Sequence, residues 1–174
     1  SGTYNNPFTS AEQAGNAPVG ANIWLASSST TYKMDRPLIL KEDQSITGRS
    51  SDFKQNASGS DRPTIKFEDS DGIVMDSSND LAHIQIMGSG HTENTSNTGV
   101  IINKNNDGNE VAQIDDVKIG KTNNGDGYII DIKMKNGAKA YISNSTLNSY
   151  FYDGGGDNDF NDATYNIYAT RNNV

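Results

Sequence analysis

The sequence predicts an all-β chain, a right-handed single-stranded parallel β-helix closed at its start by a short helix. Three observations predict it. One phrase, a glycine, an apolar triplet, then Asp or Asn, occurs at Gly72-Ile73-Val74-Met75-Asp76, Gly99-Val100-Ile101-Ile102-Asn103 and Gly127-Tyr128-Ile129-Ile130-Asp131, with the glycines 27 and 28 residues apart. A period in this range marks a solenoid, whose units bury their apolar faces only against neighbours. Each phrase is followed by a second apolar segment: Leu81 to Gly88, Ile114 to Gly120 and Tyr141 to Asn148. Strands this short, joined by turn residues, leave no room for crossover helices, so parallel pairing requires the chain to coil. Third, only 33% of residues are hydrophobic, while 22 are Asn and 17 are Gly. That composition suits a narrow core with many tight corners. The right hand follows the chirality of parallel crossovers.

Taken in order, residues 1–22 read as a cap and 23–170 as rungs of one domain. Ser10 followed by Gln13 matches a capping box, Phe8 is placed to staple the turn, and Pro18 and Gly20 end a helix running from Ser10 to about Ala17. A helix across the open end shields the first rung from edge pairing. Ile23 to Ala26 is the first strand, and its Trp24, the only tryptophan, is expected to fill the core rather than to present a sugar platform. Thr31 to Met34, Leu38 to Leu40 and Gln44 to Gly48 follow as strands. The polar stretch Arg49 to Pro63 is expected to project as a loop before Thr64 to Phe67 returns to the core. His83 is expected inside a strand and hydrogen-bonded, and Asp76, Asn103 and Asp131 as one corner column, stacked about 4.8 Å per rung. The coil stands or falls on that stacking.

The opening carries a resemblance. Gly2-Thr3-Tyr4-Asn5-Asn6-Pro7-Phe8-Thr9-Ser10 with Ala11 and Ala14, then Ile23-Trp24-Leu25, Thr31-Tyr32, Leu38-Ile39-Leu40 and Gln44 to Gly48, resembles the start of parallel β-helix passengers in bacterial surface proteins. The likeness is to inverse autotransporters of the intimin and invasin type. Gly48-Arg49-Ser50 stands where that pattern has a second glycine, and Ala21-Asn22 where it has Gly-Asp. The resemblance implies export, surface display and a longer parent protein. It carries no catalytic residue.

Charge and residue types narrow the chemistry. A net charge of −8 argues against nucleic acid and anionic membrane surfaces as partners. Cysteine is absent, which removes disulfides and thiol chemistry, and no apolar run reaches the length of a membrane span. The acidic stretch from Asp153 to Asp162 offers Asp153, Asp157, Asp159 and Asp162 as oxygen ligands for Ca²⁺, the one cofactor considered. A single Gly-rich acidic copy also reads as a solvated corner loop. The loop Asn103 to Glu110 echoes the start of an EF-hand, but Glu110 falls at the eighth position instead of the twelfth. His83, His91 and Glu93 lack any spacing that marks a metal site.

The expected function is a non-catalytic extracellular adhesin or stalk module of a bacterial surface protein. Its lateral face would meet a glycan or host protein, with Tyr150, Tyr152 and Phe160 as candidate contacts because an exposed aromatic joins an apolar face to a polar rim. The alternative is a polysaccharide lyase or glycoside hydrolase of the tailspike kind, using Asp115, Asp116 and Asp131. Hydrolysis needs two carboxylates roughly 5 to 10 Å apart. A ladder of corner hydrogen bonds competes with that use of the same residues.

Overall fold

The structure is a computed structural model describing residues 3, 5, 7, 10–89, 97–106, 109–120, 130–135, 137–147, 150–152 and 166–167. Among these the chain forms one helical turn, α1 (Ala11–Ala14), and sixteen short strands. They are β1 (Asn22–Ala26), β2 (Tyr32–Met34), β3 (Leu38–Ile39), β4 (Ser45–Arg49), β5 (Thr64–Glu68), β6 (Ile73–Asp76), β7 (Asp80–Ala82) and β8 (Gln85–Ser89). Then come β9 (Thr98–Asn103), β10 (Ala112–Asp115), β11 (Lys118–Gly120), β12 (Ile130–Met134), β13 (Ala140–Ser143), β14 (Thr146–Leu147), β15 (Tyr150–Tyr152) and β16 (Asn166–Ile167). They build three parallel sheets: β1-β4-β7-β10-β13-β16, β2-β5-β8-β11-β14 and β3-β6-β9-β12-β15. Consecutive strands therefore never pair. Each pairs in parallel with the strand three places before or after it.

Alternation within each strand sends one side chain inward and the next outward. The inward ones stack by type. Ile23, Ile46, Leu81, Ile114 and Ile142 form one column of the first sheet, all buried. Ile65, Ile86 and Ile119 do the same in the second, and Leu38, Ile73, Val100 and Ile132 in the third. Successive steps along the first column are 23, 35, 33 and 28 residues, so the core keeps register while the corners absorb length.

The expected corner column is half right. Asp76 pairs with Asn103, but Asp131 does not continue the line. Strand β12 pairs Met134 with Ile102, and the Lys135 N–H donates to Ile102 O (2.9 Å), which puts Lys135 beside Asn103. The third Gly-triplet-Asp phrase is thus four residues out of phase with the pairing, and the stacking criterion fails as posed on Asp131. The register between β9 and β12 is constant, the irregularity between Ile130 and Ile132 lying in the pairing with β15, and Asp131 is 1% exposed and partnered. Parallel pairing in this sheet is carried instead by Val100 against Ile132.

The cap is tied on by buried amides. Gln44, 1% exposed, donates from Nε2 to Ala17 O (2.9 Å) and Pro18 O (2.8 Å) and accepts the Lys41 N–H (2.8 Å). One rung on, Asn79 donates to Lys41 O (2.7 Å) and Gln44 O (3.0 Å) and accepts the Asp76 N–H (2.9 Å). Ala11, Ala14 and Ala17 are buried against the first rung. Ser10 does sit at the helix start with extended backbone, but its hydroxyl makes no capping bond, and the helix is one turn rather than two. Gln44→Ala leaves the Lys41 N–H without a partner and takes one of two donors from each carbonyl, since Ala17 O keeps Lys41 Nζ (2.7 Å) and Pro18 O keeps the Ala21 N–H (3.2 Å). It is expected to cost about 2 kcal/mol in urea unfolding, with amide exchange over 11–17 accelerating more than in the core strands. Unchanged protection there would show that Gln44 is not the clamp.

Trp24 corrects a second expectation. Ile23 and Leu25 take the inward positions of β1, so Trp24 points out and is 50% exposed. As the only tryptophan it reports its own position. Its emission is expected to be red-shifted and readily quenched by acrylamide; a blue, unquenched spectrum would place it in the core.

Candidate functional site

At the corner between the first and second sheets three non-glycine residues recur with positive φ: His83 (57°), Asp116 (53°) and Asn144 (50°). They follow Ala82, Asp115 and Ser143, which pair across β7, β10 and β13. The left-handed conformation turns the chain within one residue and favours Asn, Asp and His among residues with a Cβ. His83 therefore sits on a corner, not inside a strand as its sequence context predicts. The same corner after β4 is open. There Arg49 bridges Asn56 in antiparallel fashion, and a loop runs on to Pro63, as expected.

That loop folds back on the column. The Arg62 guanidinium donates to an Asp116 carboxylate oxygen and, through Nε, to Asp116 O (3.1 Å). His83 Nδ1 lies 2.9 Å from the other Asp116 oxygen, and the Asn56 amide lies 3.1 Å from His83 Nε2. Arg49 donates to Asn56 Oδ1 and to Phe53 O (2.9 Å). With Oδ1 engaged by Arg49, Asn56 turns its NH₂ toward His83, so Nε2 accepts and Nδ1–H donates to Asp116. The side chains of Arg62, His83 and Asp116 are only 19%, 20% and 19% exposed. Burial alone, the largest effect, raises the Asp116 carboxyl, but the hydrogen bonds from Arg62 and His83 and the charge of Arg62 outweigh it and hold the acid below the ordinary aspartate range.

Asp115 faces a different set of partners. One of its oxygens accepts both Ser143 Oγ–H (2.7 Å) and Asn144 Nδ2–H (2.8 Å) from the next rung. Asp115 and Asp116 are thus both engaged in inter-rung hydrogen bonds, and Asp131 is in the interior. The structure brings together Asp115 and Asp116 at the corner and leaves Asp131 on another sheet. Tyr150 and Tyr152 begin and end β15. Phe160 and the proposed calcium ligands Asp153, Asp157, Asp159 and Asp162 lie outside the described residues, as do His91, Glu93 and Asp107. Among the described residues no group of three His, Cys, Asp or Glu is gathered for a metal, and no helix is long and apolar enough to cross a membrane.

Sequence reasoning passed over Arg49, Asn56 and Arg62. A signal was available: Leu-Ala-His, Ile-Asp-Asp and Ile-Ser-Asn, at 81–83, 114–116 and 142–144, each end an inward-outward pair on a residue tolerant of positive φ. It also passed over the aromatic patch that the loop completes. The Arg49 guanidinium lies 4.7 Å from the Trp24 ring centroid, and the Phe53 ring stacks on Trp24 at 6.5 Å and 26°. Beside this patch a cavity of about 530 Å³ opens between α1 and β1.

Comparison with protein-family models, with curated proteins and with solved structures returns no match to this chain.

Proposed function

We propose that the chain is a right-handed parallel β-helix that serves as a non-catalytic adhesin or stalk module on the outside of a bacterial cell. One observation carries the coil: each strand pairs in parallel with the third before and after it, so the chain visits the three sheets in constant order. The right hand rests on the general chirality of parallel crossovers. Residues 1–22 serve as the cap and 23–170 as rungs of a single domain within a longer surface protein. The non-catalytic reading is supported by the engagement of Asp115 and Asp116. Their oxygens bind Ser143, Asn144, Arg62 and His83, a use that fastens rungs and loop together. Export and display rest on the resemblance of the opening residues.

The test is a labelled module applied to host cells and a glycan array, run beside a panel of neutral and acidic polysaccharides assayed for cleavage. Binding without cleavage is the expected result. Cleavage abolished by Asp115→Asn, Asp116→Asn or Asp131→Asn would transfer the chain to the lyase or glycoside hydrolase class. Neither binding nor cleavage would reduce it to a spacer.

A further inference from the structure

The feature that the module's architecture leaves unused is the exposed Trp24. A half-exposed indole at an outward strand position has no role in the core. Its surroundings show a consistent chemistry. Among the described residues, everything lining the adjoining cavity of about 530 Å³ is uncharged. In a chain with 21% charged residues and a net charge of −8, that is a selective exclusion. The lining joins aromatic rings (Trp24, Phe53, Tyr32) to amides and a hydroxyl (Asn22, Asn16, Ser10). Flat apolar surface beside neutral donors and acceptors matches the two faces of a sugar ring, whose C–H side stacks on aromatics and whose hydroxyls need hydrogen bonds.

The platform is also held in place before any ligand arrives. Arg49 lies over the indole, held by its bonds to the neutral acceptors Phe53 O and Asn56 Oδ1, so it braces the ring as a shelf while keeping its charge. Phe53, at φ 60° in the loop, closes on the ring from its side. Tyr32 donates its hydroxyl to Ala26 O (2.9 Å), fixing a third ring. Asn22 Oδ1 accepts the Ser45 hydroxyl (2.6 Å), which turns its amide donors outward. Rigid aromatics and oriented amides reduce the ordering that binding requires.

We propose that the cleft between α1 and β1 binds a neutral sugar, with the Trp24 indole as its stacking platform and Asn22 as a donor to its hydroxyls. This deepens the reading of a binding module and rests on it. It makes a neutral glycan the preferred ligand over an acidic one, because among the described residues no charged side chain lines the cavity and the one nearby cation, Arg49, is engaged with the indole and the loop.

With one tryptophan in the chain, emission excited at the red edge of indole absorption, where the eight tyrosines do not absorb, reads this site alone. The purified chain is titrated with neutral oligosaccharides (gluco-, manno-, xylo- and N-acetylglucosamine series) into the millimolar range, and with hyaluronate and polygalacturonate. Expected is a saturable change in emission with at least one neutral series and unchanged affinity in high salt. In Trp24→Phe, followed by calorimetry, affinity falls a few-fold; in Trp24→Ala and Asn22→Ala it falls about tenfold or more, with the thermal transitions of both variants unchanged. Emission that responds to no neutral series, binding that survives Trp24→Ala, or binding confined to the acidic polymers overturns the proposal. Cell binding that persists in Trp24→Ala would sink the cleft while leaving the adhesin reading intact.

Discussion

Replacing Gly48 with alanine is expected to lower unfolding stability by about 3 kcal/mol or more, at the top of the range for overpacking. Gly48 is buried at the fourth position of β4, directly inside the corner that His83 turns. A Cβ there would overlap the His83 carbonyl oxygen and lie 2.8 Å from the ring carbon Cδ of Pro63. Neither is the far end of a flexible side chain: one is backbone and the other a proline ring. Relief requires moving the corner column or the loop that ends at Pro63. Urea unfolding of Gly48→Ala beside Thr47→Ala, an outward neighbour expected to change stability by about 0.5 kcal/mol or less, checks the claim. Equal effects would mean that the corner yields at little cost.

Asp116→Ala is expected to cost about 2 kcal/mol, because it leaves one nitrogen of the largely buried Arg62 guanidinium and His83 Nδ1–H without their carboxylate acceptor, while Arg62 keeps its bonds to Asp116 O and Gly59 O. The loop from Arg49 to Pro63 is expected to become more susceptible to protease, since the Asp116 carboxylate is one of its ties to a later strand, beside Arg62 Nε on Asp116 O and Asn56 on His83. A double-mutant cycle with Arg62→Met separates the pair from the rest: a coupling of about 1 kcal/mol or more is expected, and additivity would show that the two merely coexist. The pH dependence has a definite sign. The Asp116 carboxyl is held below its unfolded value of about 3.9, so its contribution is complete above that pH and is lost as pH falls through the lower folded value. Asp116→Asn removes this part of the acid limb. Parallel acid titrations of the wild type and Asp116→Asn would contradict the assignment.

Much of the strand content was legible because parallel sheets of short strands write their core as short apolar runs between turn residues. Ile23, Leu38, Ile46, Ile65, Ile73 and Ile114 all announce themselves this way, and all are buried. The phase of the third glycine phrase was not legible. Gly127-Tyr128-Ile129-Ile130-Asp131 looks like its two predecessors, but pairing is decided by which residues face inward against Val100 and Ile102, and Ile132 and Met134 win that place. Motif identity is local; register is a property of two strands. Trp24 was misplaced for a related reason. Hydrophobicity suggests the interior, yet alternation with Ile23 and Leu25 leaves it outside. The corner acids were readable as a pair at a turn, but their partners were not. Arg62 lies 54 residues from Asp116 and His83 lies 33 away, distances that the parallel pairing of strands three apart makes short.

After β4, β7, β10 and β13 the corner out of the first sheet has been solved in two ways within one molecule. After β7, β10 and β13 a single left-handed residue suffices, while after β4 fourteen residues intervene before β5 at Thr64, with no loss of register on either side. The two solutions share a column, so the apolar stack cannot distinguish a tight turn from a long excursion. A position with that indifference is a socket. Peptides or small domains grafted into the exposed part of the loop after β4, away from Arg49, Asn56 and Arg62, would be carried beside strands that already keep their register across fourteen intervening residues.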